Sequence, residues 1–128
     1  MSILKIYRGR ALQAALAEII RPVRVIYVAT DQPEPVTVQA LADLMKSTPN
    51  LSVDFRQDTL AEVDRIIVQV EAGPALVFVG PPLGTELAAL ISAIIVVGRG
   101  RSGLSPTTLY GLTDLSGPVH LTVFTTPT

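Results

Sequence analysis

Residues 80–97 constrain what this chain can fold into more than any other stretch. Gly80, Pro81, Pro82 and Gly84 stop whatever precedes them. Proline removes a backbone donor and fixes φ, and glycine accepts conformations that other residues avoid. The run 87–97 follows, and Ser92 is its one residue that is not hydrocarbon. A helix over that run is apolar around nearly its whole circumference, so other elements must cover it on most sides. The pattern predicts a core helix that starts at about Gly84 or Thr85. It falls well short of the roughly 20 apolar residues that span a bilayer, so no membrane partner is expected.

Glu86 is the exception within this block. In the first helical turn its carboxylate is favoured by free backbone N–H groups, while apolar neighbours disfavour the charged form. Two readings stand side by side: a helix-start charge pointing into water, or a carboxyl group at the mouth of a site.

Composition narrows the function classes. A chain of 128 residues with 48% hydrophobic content can bury one good core. Its formal net charge of −1 comes without a basic tract, and there is no tryptophan, so nucleic acid is not an expected partner. There is no cysteine, hence no disulfide, thiol nucleophile or thiolate metal site in this chain, and His120 alone makes no zinc site. The amino terminus carries Lys5, Arg8, Arg10 and Glu18 among its apolar positions, unlike a signal peptide, and a cytoplasmic location is expected.

Read in order, Leu12, Ala15, Leu16, Ile19 and Ile20 predict an amphipathic helix over 8–20, ended by Arg21 and Pro22. The β-branched run 23–29 predicts a buried, central strand. A polar loop, 30–35, leads into a helix over 36–45, and the alternating run 51–56 supplies a parallel return strand, either at the sheet edge or covered on one side only. Runs 65–70 and 75–79, joined by Glu71, Ala72, Gly73 and Pro74, predict a β-hairpin. The order predicts an α/β sandwich with parallel and antiparallel strand pairs.

Gly98, Arg99, Gly100, Arg101, Ser102 and Gly103 break the composition and read as a linker. Ser105 with Pro106 then starts a fresh helix carrying Leu109, Leu112 and Leu115, and a strand over 119–125 follows Pro118. Residues 105–125 thus repeat the helix, proline break and strand order of 8–29. The chain reads as a complete unit over 1–97, a linker over 98–104, and the opening of a second unit over 105–128.

That doubled order, together with Pro82-Leu83-Gly84-Thr85-Glu86 before an apolar helix and a Gly-rich linker, resembles the amino-terminal domain of the alkyl hydroperoxide reductase flavoprotein. That domain is a tandem of thioredoxin-like folds, and the resemblance covers about 12–125. Glutaredoxin-like protein disulfide oxidoreductases share the doubled architecture. The resemblance implies a thioredoxin-like three-layer sandwich with a mixed sheet, followed by a partial second unit. In the family the first unit lacks redox cysteines, and the second carries Cys-x-x-Cys immediately after its first strand. The glutamate matching Glu86 lies close to that dithiol and would act as a supporting acid or base, since disulfide exchange depends on the thiolate fraction. Here the first-unit loop, Thr30-Asp31-Gln32-Pro33-Glu34, has no cysteine, and 126–128 read as stopping just short of the second unit's pair.

The resemblance further implies a catalytically silent scaffold, whose parent uses FAD and NAD(P)H and serves a peroxiredoxin in peroxide detoxification. No cofactor is expected in this chain. One departure is that thioredoxin folds usually carry a cis-proline before the third strand, whereas Val63-Asp64-Arg65-Ile66 has none. The alternative is a cysteine-free binding or assembly module, with a second copy pairing through the orphan strand 119–125. His120 reads as structural or solvated, the acidic residues Asp54, Asp58, Glu62 and Asp64 as a solvated face, and Tyr7, Tyr27 and Tyr110 as packing residues.

Overall fold

The computed structural model describes residues 10–71, 73, 75–82 and 84–125. Helix α1, Arg10–Ala17, buries Leu12 and Leu16. It ends earlier than the expected 8–20 helix, with Ile20 75% exposed instead of continuing the apolar face; the expected start at Arg8 lies outside the described residues. Two tight turns, Glu18 N–H to Ala15 C=O and Ile19 N–H to Leu16 C=O, close the helix and still deliver Ile19 to the core.

Strand β1, Val23–Ala29, is buried at every position except Arg24 and occupies the centre of a four-stranded sheet. Helix α2, Pro35–Ser47, starts with Pro35 in its first turn, where a missing N–H costs nothing, and buries Thr37, Ala40, Leu41 and Leu44. Strand β2, Leu51–Gln57, then pairs parallel with β1 at the sheet edge. Strands β3, Arg65–Val70, and β4, Leu76–Val79, form the antiparallel hairpin, and β3 pairs antiparallel with β1. The sheet order is β2-β1-β3-β4. In register, Val25 lies between Val53 and Val68, which sets one apolar row across three strands.

Helix α3, Thr85–Arg99, begins where the Pro-Gly turn predicts. Leu90, Ile91 and Ile94 are at most 1% exposed and meet Val23, Val25, Tyr27 and Ala29 in one cluster with the buried residues of α1 and α2. Each such aliphatic side chain contributes roughly 1.5–3 kcal/mol of burial. Ile26 and Val28, on the other face of β1, are buried outside that cluster.

Two expectations fail beyond α3. The linker expected from residue 98 begins later, because Gly98 and Arg99 belong to the helix. Gly98 is where α3 crosses the chain entering β1: an added Cβ would sit 2.7 Å from Ile19 Cγ2 and 3.0 Å from Val23 Cγ2. The helix stops instead at Gly100, in the left-handed conformation that favours glycine, with φ 77°. Helix α4, Pro106–Leu112, is capped as expected by the Ser105 hydroxyl, which accepts from the Thr108 N–H at 3.2 Å. The strand expected over 119–125 does not form; that segment is non-helical, unpaired and exposed throughout. Its β-branched pattern is real, but a strand needs a neighbour to complete its hydrogen-bond ladder, and no described strand lies beside it.

Candidate functional site

The topology brings the ends that matter to one edge. β1 and β2 run parallel and β3 runs against them, so the carboxyl ends of β1, β2 and β4 and the amino end of β3 lie together. Both α2 and α3 start from that edge, and the crevice outside strand carboxyl ends is where open α/β sheets place ligands.

Glu86 stands in the first turn of α3, half-buried. Gly84 at the N-cap has φ 57° and ψ −123°, which a side chain would oppose, and no side chain caps the helix. A carboxylate at this position is favoured by the positive end of the helix dipole. The exposed segment after α4 returns to it: the Thr125 hydroxyl donates to Glu86 Oε1 at 3.3 Å.

The second group at this edge is a network that sequence reasoning missed. Tyr27, with no exposed surface, donates its hydroxyl to Asp64 Oδ2 at 2.9 Å. Asp64 Oδ1 accepts from the Thr30 N–H at 2.9 Å and the Thr30 hydroxyl at 3.0 Å. The Glu34 N–H, at the N-cap of α2, donates to the Tyr27 hydroxyl at 3.0 Å. Burial pushes the Asp64 carboxyl up, but the bonds from the Thr30 N–H, Tyr27 and the Thr30 hydroxyl outweigh it and hold the group below its ordinary value. Burial, opposed in part by the Glu34 N–H and reinforced by the Asp64 bond and the charges of Asp64 and Glu34, pushes the Tyr27 phenol up to about 12. The loop 30–34 is therefore tied shut at the position where the resemblance places a first-unit redox loop, and no cis peptide bond occurs among the described residues.

The acidic residues read as one solvated face are separated. Asp54 pairs with Arg24 through Nε and Nη2 at 3.0 and 2.5 Å, Asp58 caps a turn through the Leu60 N–H, Glu62 is exposed, and Asp64 is in the network. No group of three His, Cys, Asp or Glu able to hold a metal ion occurs among the described residues. No described helix is long and apolar enough to cross a membrane. Tyr27 packs against Phe55 as expected, with ring centroids 6.1 Å apart, but Tyr110 is 77% exposed and Tyr7 lies outside the described residues. His120 is exposed.

Among solved structures, the chain is similar to a protein disulfide oxidoreductase from Aeropyrum pernix k1, with TM-score 0.61 and 23% identity, over 84% of this chain and 53% of that one. The fold is thioredoxin-like. No family model matches the chain, and no curated protein does. The chain spans about half the length of the oxidoreductase it matches, 53%. Within the thioredoxin-like fold, the loop after β1 is Thr30 to Glu34, and the residue just before β3 is Asp64.

Proposed function

We propose that this chain is the non-catalytic scaffold half of a thiol–disulfide transfer domain. Its Glu86 supports a dithiol contributed from outside the 128 residues. The pair would pass electrons from a flavoprotein reductase using FAD and NAD(P)H to a peroxiredoxin, as the alkyl hydroperoxide reductase flavoprotein does, in the cytoplasm. The observation that carries the reading is the contact between Glu86 and Thr125. In the family the reactive pair follows the second unit's first strand, so a dithiol just after residues 119–125 would meet the Glu86 carboxylate. A carboxyl group there takes or returns a proton as one sulfur changes charge, which governs the thiolate fraction available for exchange.

The chain has no cysteine and so carries no dithiol of its own, and in this reading its part is geometric and acid–base. The test is disulfide reduction. The 128-residue chain should reduce no disulfide, and a longer protein carrying Cys-x-x-Cys beyond Thr128 should do so. Reductase activity in the 128 residues alone contradicts the scaffold role.

A second reading is favoured by one specific observation: Leu121, Val123 and Phe124 are 81–93% exposed on a segment that joins no helix or strand among the described residues. A cysteine-free adaptor could pair this segment with another copy of the chain. Light scattering separates the readings, because the same number of chains per particle with and without 104–128 excludes strand-mediated assembly and leaves the scaffold role standing.

A further inference from the structure

Asp64 immediately precedes β3 and touches both connections that close this edge of the sheet. Its side chain holds the loop after β1 through the Thr30 N–H, the Thr30 hydroxyl and the Tyr27 hydroxyl. Its backbone carbonyl accepts from the Gly80 N–H at 2.6 Å, at the start of the turn that leads to α3. Tyr27 carries the connection on to the Glu34 N–H at the start of α2. The starts of both helices are thus referred to one residue. Pro81 and Pro82 follow Gly80, and their fixed φ angles stiffen the path from that bond to Gly84 and Glu86.

We infer that Asp64 is the positioning residue for Glu86: its carboxylate locks the loop after β1, its carbonyl anchors the turn into α3, and together they set where the Glu86 carboxylate points. The charge of Asp64 is held by hydrogen bonds. Its neighbour Arg65 instead approaches Asp58, at 4.0 Å. The facing groups are Tyr27, Thr30 and the Glu34 N–H, so a neutral amide at position 64 offers one acceptor oxygen to donors that now share two. The functional consequence rests on the proposed role of Glu86; the geometric claim does not.

The experiment is NMR on the 128-residue chain with Asp64→Asn. The expected result is a selective change: amide exchange at Thr30, whose N–H bonds the carboxylate directly, accelerates roughly tenfold to a hundredfold, as the loss of a charge-assisted bond implies. The Glu86 carboxyl carbon and Thr125 signals shift, while the β1–β2 amides keep their protection. Unmoved Glu86 signals overturn the inference, and so does a uniform loss of protection in β1 and α3, which marks a merely structural residue. If Asp64→Asn does not fold, Thr30→Val removes only the hydroxyl bond, and the same Glu86 shift, smaller, is expected or the inference fails. Shifted Glu86 signals combined with dithiol chemistry indifferent to Glu86→Gln would keep the positioning role and remove the proposed function. The reverse pair of results would remove the positioning role alone.

Discussion

Tyr27 has no exposed surface yet carries a hydroxyl that must be paired, and Asp64 and Glu34 pair it. Its folded value of about 12 lies above the unfolded 10.0, so its contribution is complete below pH 10 and is lost as the pH rises through about 12. Asp64 behaves oppositely. Its folded value lies below the unfolded one, so its contribution is present above about pH 4 and is lost as the pH falls through the folded value. Denaturant midpoints measured against pH should therefore fall on the acid side, and Asp64→Asn should flatten that fall. Tyr27→Phe leaves the Asp64 Oδ2 and the Glu34 N–H without this partner and should cost about 1.5–3 kcal/mol in equilibrium unfolding. None of this was legible in the sequence. Asp64 stood in an acidic stretch with Asp54, Asp58 and Glu62, and no local spacing distinguishes the one that a distant Tyr27 will reach. The signal that could have found it was the unusual residue itself, an aspartate at the position before β3 where the fold usually carries proline.

Elements were legible where periodicity and punctuation agreed. The central place of β1, the parallel strand β2, the β3–β4 hairpin and the start of α3 all follow from local patterns. The end of α3 did not, because Gly98 looks like a linker residue and works as a packing residue; Gly100 was the true stop. Gly98→Ala gains helix propensity of up to about 1 kcal/mol but drives a methyl into the branched side chains of Ile19 and Val23. A net loss of about 1–2 kcal/mol is expected by chemical unfolding, with partial recovery in an Ile19→Ala background. In α2, Thr37 is fully buried and its hydroxyl finds no partner among the described residues. Thr37→Val should be neutral or raise stability by up to about 1 kcal/mol, since it removes an unpaired buried polar group at nearly constant shape. The 119–125 strand was misread for another reason: alternation and β-branching describe a segment's preference, whereas a ladder requires a neighbouring strand.

At the scale of the whole molecule, the hydrophobic cluster closes over residues 12–97 and takes nothing from the segment after α3. Residues 100–125 are exposed throughout, so removing 104–128 should leave the unfolding midpoint of the remaining fold nearly unchanged, a result that differential scanning calorimetry reads directly. The same segment reaches back to Glu86 through Thr125, the contact on which the proposed scaffold role rests. The decisive measurement is the pH dependence of thiol alkylation in a protein extended through the expected Cys-x-x-Cys, with Glu86 intact and with Glu86→Gln. If the first unit supplies a working carboxylate, the substitution displaces the thiolate titration and slows disulfide reduction, with the fold unchanged. Superimposable profiles and equal rates would contradict it.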